Sequence, residues 1–407
     1  MAERLCPPDE AGVIEAVRQA AADGTPLAVE GNGSKRAMLR PVQAGRTLST
    51  AALSGITLYR PAELILSARA GTPLAEIEAE LERHNQMIPA EPPDFAALFG
   101  HAIPSTIGGM VAANLSGPRR IGPGGALRDQ LLGIRMVTGH AELVRSGGRV
   151  HKNVTGLDLC KLLAGSHGTL GVMTEVTLKL VPRPEGSLSL AVAVPGLEEG
   201  IAALSAGLGS PYGVTGAALL PSGIPSGMPI GMPGGPSLPG SPVAVLRLED
   251  FRRFLPRRAE ALRGLLSRFG DVQLIGEEDS AGLWRQVRDA ALLEPAPDQM
   301  VWRISVRPSR APDLARRLDA AFEARLLLDW GGGLVWATGS ASIAAHEAVV
   351  AAVAEAGGVF TLFRAPDPLR AAVPVLPAEA VALAAIAGRV KAALDPAGVL
   401  NPGRMRA

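Results

Sequence analysis

Three glycine clusters in the first half of this 407-residue chain constrain it more than any other feature. Glycine tolerates left-handed backbone and lets a ligand or a second backbone come where a Cβ would stand. The first cluster, Glu30-Gly31-Asn32-Gly33-Ser34-Lys35, follows the apolar run Pro26–Val29, which reads as a short buried strand. Such a turn can aim successive N–H groups at an anion, although a hairpin turn accounts for it equally well. The second runs Pro104-Ser105-Thr106-Ile107-Gly108-Gly109-Met110-Val111-Ala112-Ala113-Asn114-Leu115-Ser116-Gly117 and on to Gly122. Its Gly108-Gly109 pair is expected to open a short helix, where backbone donors and the helix dipole favour a diphosphate. Ala112, Ala113 and Ser116 leave space for a flat ring, and Asn114 can hydrogen-bond a heteroaromatic edge. The third, Leu163-Ala164-Gly165-Ser166-His167-Gly168-Thr169-Leu170-Gly171-Val172-Met173-Thr174-Glu175, permits a folded loop that reads an adenine or ribose edge before entering a strand.

Other nucleotide motifs fail. No G-x-G-x-x-G joins a strand to a helix at the required spacing, and no G-x-x-x-x-G-K-[ST] occurs. The formal net charge of +1 gives no basic face for nucleic acid. Cys6 and Cys160 are the only cysteines, too few for a disulfide framework or for the four thiolates of an iron–sulfur cluster. We read no signal peptide and no apolar run of spanning length, which leaves a cytoplasmic location as the expectation.

The length suggests about two domains, because cores tend to divide beyond roughly 250 residues. Asp9 is expected to cap a first helix carrying Val13, Ile14 and Val17, and Leu64–Ala68 reads as a strand followed by a helix through Leu74, Ile77 and Leu81. The texture changes after about residue 186. Strand-like runs at 188–194, 243–248, 272–275, 301–306, 326–330 and 334–337 alternate with helical stretches at 252–268, 279–292, 312–324 and 342–356. That alternation predicts an antiparallel sheet with helices on one face. Between them, the Gly/Pro/Met segment 221–242 is expected to form a surface loop. A last helix over 378–394 leads into Asp395-Pro396-Ala397-Gly398-Val399-Leu400-Asn401-Pro402-Gly403, and no internal repeat is visible.

The three clusters, in this order, resemble the FAD-binding domain of the vanillyl-alcohol oxidase (PCMH-type) flavoproteins over residues 26–182. Further segments resemble the FAD-binding subunits of glycolate-oxidising complexes within that family. These are Ala68–Leu74, Gln86–Pro93, Ser116–Arg120, the run from Val150 to Leu159, and the 395–403 tail. The resemblance implies an α+β fold, with a two-subdomain FAD-binding domain at 1–186 and a smaller α+β cap domain at 187–376. A helix and tail at 377–407 would then return to the FAD domain. It implies FAD held by Gly31, Asn32, Gly33, Ser34, Lys35, Pro104, Thr106, Gly108, Gly109, Ala112, Asn114, Ser116, Gly117, Gly122, Gly165, Gly168, Leu170, Gly171, Val172 and Asn401. It implies partners too: a catalytic flavin subunit and an iron–sulfur subunit that carries electrons away. Membrane association would then be peripheral.

The chain departs from the wider family in two places. Where many members carry a flavin-linking His in the first loop, Ser34-Lys35-Arg36 follows Gly33, so the flavin is expected to be non-covalent. The His-rich substrate cluster of catalytic members is also missing; beyond His167 only His346 remains, expected on a helix surface. Arg285, Arg288 and Arg303 are candidate cations for a substrate carboxylate, but no base accompanies them, and we expect no metal. Oxidation of the 2-hydroxy acid on a homologous partner is therefore the expectation. A free-standing FAD-dependent dehydrogenase or a non-catalytic scaffold subunit are the alternatives.

Overall fold

A computed structural model describes residues 3–122, 124–148, 157–223 and 241–406. Residues 224–240 of the expected 221–242 loop and residues 150–156 of the Val150–Leu159 motif lie outside the described residues. Asp9 caps the first helix, Glu10–Asp23, by accepting from the Gly12 N–H at 2.8 Å, and Gly24 ends it in left-handed backbone. Its buried face, Val13, Ala16, Val17 and Ala20, packs on a three-stranded parallel sheet in the spatial order Glu3–Leu5, Arg46–Ser49, Leu27–Glu30. Beside it lies a five-stranded antiparallel sheet in the order Ile56–Arg60, Ile65–Arg69, Val172–Lys179, Leu131–Val137, Leu143–Gly147. The second glycine cluster crosses between these sheets.

Residues 186–364 build one eight-stranded antiparallel sheet, and the chain after it returns to the first half, where Leu400 bridges Leu27. Its order is Val272–Ile275, Gly186–Ala193, Val243–Asp250, Val214–Leu220, Arg325–Asp329, Leu334–Gly339, Met300–Ser305, Val359–Arg364. This order contains a duplication. Each half is a β-α-β-β-α-β unit with its strands arranged fourth, first, third, second, and the two second strands meet at the single bridge Leu219–Leu328. The absence of a visible repeat was therefore misleading. What recurs is hydrophobic alternation and connection length, which many sequences satisfy, so the units share topology without shared residues. Helices Leu197–Leu208 and Leu255–Leu266 serve the first unit, and Ala311–Phe322 and Ile343–Ala356 the second.

His346 corrects another expectation. Its ring is buried, with Nδ1 accepting from Trp302 Nε1 at 3.1 Å while Nε2 has no partner among the described residues. Flanked by Ala345 and Glu347 it reads as surface, but Ala345, His346 and Val349 all face the sheet.

The two halves of the molecule meet at a buried ion network. Arg247 donates two bonds to Glu91 at 2.9 and 2.8 Å and also lies 3.2 Å from Glu249, which in turn accepts from Arg119 at 2.6 Å. Burial pushes the Glu91 carboxyl up, but the Arg247 guanidinium outweighs this and holds it below the usual range. The Trp330 indole N–H donates across the same seam to the Gly117 carbonyl at 3.0 Å.

Candidate functional site

The strand Leu27–Glu30 runs into the first glycine loop, and Gly31 is where the loop packs on the next element. A Cβ there would stand 2.2 Å from Thr106 Oγ1. Thr106 is the N-cap of helix Ile107–Ala113, accepting from the Gly109 N–H at 3.3 Å. Gly108 admits no side chain, because its Cβ would lie 2.7 Å from the Ala70 Cβ and 2.8 Å from the Ala70 carbonyl oxygen. Gly109 differs: its Cβ would meet only Thr106 Oγ1 at 3.2 Å and the Lys35 Nζ at 3.9 Å.

A cleft of about 360 Å³ opens between these loops. Gly31, Asn32, Gly33, Ser34 and Lys35 line it from the first cluster, and Thr106, Gly108, Gly109, Ala112 and Ala113 from the second. Gly168 and Gly171 reach it from the third, and Asn401 from the tail. Asn401 ties these parts together: Oδ1 accepts from the Val29 N–H at 2.7 Å, and Nδ2 donates to the carbonyls of His167 at 2.8 Å and Val29 at 3.1 Å. That junction explains Gly168, whose Cβ would fall 2.8 Å from Asn401 Nδ2.

The cleft is cationic. Lys35 Nζ donates to Ser105 Oγ at 3.0 Å and to Ser34 Oγ at 3.3 Å, with no carboxylate in hydrogen-bonding reach among the described residues. Burial lowers its pKa to about 8, against which the Asp94 charge acts only weakly. Arg404 donates to the carbonyls of Lys35, Arg36 and Arg40, and burial, with Arg370 close by, lowers it to about 10. Arg370 donates to the carbonyls of Arg36, Met38 and Leu39, and its buried Nε has no partner among the described residues. His167 has left-handed backbone, and burial followed by the charges of Arg404 and Lys35 lowers its ring to about 3, so it is neutral at physiological pH.

The helix offers fewer free donors than the sequence suggests. The N–H groups of Ile107 and Gly108 donate to the carbonyls of Thr72 and Ala70, both at 2.9 Å, and that of Gly109 goes to Thr106. Its dipole remains, but the free backbone donors lie in the first loop. Among the described residues, the N–H groups of Gly33, Ser34 and Lys35 have no protein acceptor. Free amides, a half-buried ammonium and missing Cβ atoms together suit a diphosphate.

Other residues singled out from the sequence stand off the cleft. Pro104 accepts from Asn32 Nδ2 at 3.1 Å, just behind the first loop. Asn114 is the left-handed C-cap of the Ile107–Ala113 helix, and its Oδ1 accepts from the Arg128 N–H at 3.1 Å. Ser116 is buried and accepts from the Leu127 N–H at 2.9 Å. Gly117 sits at the seam between the halves, where a Cβ would be 2.4 Å from the Glu91 carbonyl oxygen, and Gly122 packs near Thr215. Gly165 donates to the Val111 carbonyl, Leu170 is half-buried, and Val172 begins a buried strand. Conversely, Arg370 and Asp367 line the cleft from just before the last helix, where nothing in the sequence marks them. His167 and Arg404 adjoin recognised motifs and were legible in principle.

The three candidate substrate cations do not converge. Arg285 and Arg288 line a separate cleft of about 540 Å³, which shares no lining residue with the first. Arg288 is paired with Asp289 at 2.8 Å, while Arg285 is exposed. Arg303 is half-buried over the Trp330 and Trp336 rings at 4.9 and 5.8 Å, lining neither cleft. His101, from a different segment, touches the first loop through Nε2 to the Ser34 carbonyl at 2.9 Å. Its Nδ1 accepts from the Ile103 N–H, so both ring nitrogens are engaged.

Comparison with known proteins identifies the family and the fold. A family model described as an FAD binding domain matches residues 3–147. The solved structure of an alkyldihydroxyacetonephosphate synthase superposes with a TM-score of 0.70 over 98% of this chain and 75% of its own, at 16% identity. That likeness speaks for the fold alone. The chain is thus an FAD-binding oxidoreductase of the PCMH-type flavoprotein class. "Glycolate oxidase subunit GlcE" of Escherichia coli K12 is 37% identical over 97% of both chains, and this chain belongs to that family. Glycolate oxidase subunit GlcD of Bacillus subtilis is 43% identical over 21% of this chain and 18% of its own. A D-lactate dehydrogenase of Anaerostipes hadrus is 31% identical over 39% and 31%, respectively.

Proposed function

We propose that this chain holds FAD non-covalently in the cleft between its glycine clusters, as the FAD-binding subunit of a glycolate-oxidising complex. In this reading glycolate is converted to glyoxylate on a homologous catalytic flavin subunit, and electrons leave through an iron–sulfur subunit. The observation that carries it is the convergence of all three clusters and the Asn401 tail on one cationic cleft, while the candidate substrate arginines are scattered. Bound FAD supplies a reversible two-electron acceptor. The protein's own part is to bind and orient it: Lys35 and the free amides of Gly33 to Lys35 would hold the diphosphate, and the neutral His167 ring lines the same cleft. With both His101 nitrogens engaged and Ser34-Lys35-Arg36 in the first loop, that loop offers no free imidazole for attachment.

The seam between the halves supports an accessory role. The cations and carboxylates of Arg119, Arg247, Glu91 and Glu249 neutralise one another there, leaving none of these arginines free for a substrate carboxylate. Among the described residues no helix is long and apolar enough to cross a membrane, so peripheral attachment through the complex fits this reading. The test is anaerobic addition of glycolate to the purified chain, followed by its absorption. The flavin of the chain alone stays oxidised, and it is reduced only when the catalytic subunit is supplied. Bleaching of the isolated chain at catalytic rates would overturn the accessory role in favour of a free-standing dehydrogenase, with the Arg285–Arg288 cleft as the place to look.

A further inference from the structure

The first glycine loop can present its amides to the cleft only if its carbonyls face away, because the C=O and the following N–H of a trans peptide point in opposite directions. Three carbonyls decide this. That of Gly33 accepts from the Arg36 N–H at 3.2 Å, within the loop's own turn. That of Lys35 accepts from the Met38 N–H at 3.1 Å and from Arg404 at 2.7 Å. The Ser34 carbonyl between them has one partner among the described residues, His101 Nε2 at 2.9 Å, 67 positions along the chain. A carbonyl oxygen can only accept, so Nε2 carries the proton. Nδ1 carries none, because it accepts from the Ile103 N–H at 3.2 Å. Packing sets the ring as well. It stacks on Phe99 with centroids 5.9 Å apart and 20° between the planes, and Phe99 stacks on Phe363 at 5.3 Å and 13°. Phe363 is fully buried in strand Val359–Arg364 of the large sheet, so both halves of the molecule fix the His101 ring.

We infer that His101 is a positioning residue for the diphosphate: by holding the Ser34 carbonyl behind the loop, it aims the Lys35 N–H into the cleft. The inference rests on the FAD reading above. Ser34 and Lys35 line the cleft and His101 does not, so the carbonyl points out of the cleft and the amide of the same peptide points in. That amide has no protein acceptor among the described residues, which leaves it for an anion. Rotation of this one peptide would exchange the two groups. A carbonyl oxygen would then face the diphosphate where a donor had stood, replacing attraction by repulsion. The Lys35 side chain does not prevent the rotation, because its Nζ is anchored separately on Ser105 and Ser34. His101 itself touches no ligand; it acts through the loop. The two ring nitrogens can be separated by substitution. Counted in bonds from Cβ, glutamine puts its amide nitrogen where histidine has Nε2, and asparagine puts its own where histidine has Nδ1.

The test titrates FAD, and riboflavin, which lacks the diphosphate, into the flavin-free full chain and follows flavin fluorescence. His101→Gln keeps the donor to Ser34 and binds FAD within about twofold of wild type. His101→Asn loses that donor and binds FAD about tenfold more weakly, the weight of one misdirected charge-assisted bond. Riboflavin binds all three proteins alike. An Asn variant with wild-type FAD affinity would overturn the inference, and so would equal losses in both variants. A riboflavin loss parallel to the FAD loss would also overturn it, by assigning His101 to general support of the cleft. Each of these outcomes leaves the FAD site itself standing. A wild-type chain that binds no FAD would remove the site and the inference together. Should His101→Asn misfold, the wild-type protein decides through hydrogen exchange of the Lys35 amide, read by NMR. FAD slows that exchange roughly tenfold or more if the amide meets the diphosphate, and an unchanged rate contradicts the inference.

Discussion

At the scale of single residues, Gly108 and Gly109 are adjacent but do different work. Gly108 is pressed against the Ala70 backbone, so Gly108→Ala forces a steric adjustment of about 1–3 kcal/mol, read as a lower melting temperature. Gly109 meets only the Thr106 hydroxyl at 3.2 Å and the Lys35 ammonium at 3.9 Å, so Gly109→Ala asks only a small shift of Thr106 and weakens FAD more than it lowers the melting temperature. Lys35 gives a pH signature. Its pKa of about 8 in the protein alone rises when a diphosphate arrives, so binding takes up a proton at higher pH. FAD affinity therefore falls as pH rises through 8, by at most tenfold per pH unit, in titrations followed by flavin fluorescence. Lys35→Ala removes this dependence and weakens binding roughly 10- to 100-fold, the weight of one charge-assisted bond. An unchanged pH profile in the variant would place the diphosphate elsewhere. Lys35 as a loop cation was legible in the sequence. Its burial without a carboxylate was not, since that depends on Ser105, seventy residues away.

At the scale of elements, periodicity identified most strands and helices of the second half, and the antiparallel sheet followed. It missed helix Leu197–Leu208 and strands Val214–Leu220 and Val359–Arg364. The first strand is buried along its whole length, so it lacks the alternation by which half-buried strands are recognised. His346 shows the same limit within a helix, where one polar residue among alanines does not reveal which face turns inward. Because burial lowers its pKa below the ordinary 6.5, the unfolded chain binds the proton more readily. The His346 contribution to stability is thus intact above about pH 6.5 and is lost as pH falls below it. His346→Ala leaves the Trp302 N–H without an acceptor, costing about 1–3 kcal/mol by denaturant unfolding with FAD binding unaffected.

At the scale of the whole molecule, the two halves are joined through charges as well as packing. Arg247→Met leaves Glu91 buried without its principal partner and costs about 3–5 kcal/mol in unfolding experiments. Glu91, held below its ordinary pKa, gives stability that is present above the normal carboxylate range and is lost as pH falls through its lowered value. This seam was not legible from sequence, because its four charges lie at positions 91, 119, 247 and 249 with no local pattern linking them. The glycine clusters were legible because their requirement is local: backbone conformation and close approach at each position. The central claim, that this cleft holds a dissociable FAD, is tested most directly by the absorption spectrum of the purified chain before and after acid precipitation. The account predicts flavin bands in the native protein, one FAD per chain released to the supernatant, and loss of the bands in Gly109→Glu. Flavin that stays with the precipitate would contradict the non-covalent site, and a Gly109→Glu variant that retains FAD would contradict its location.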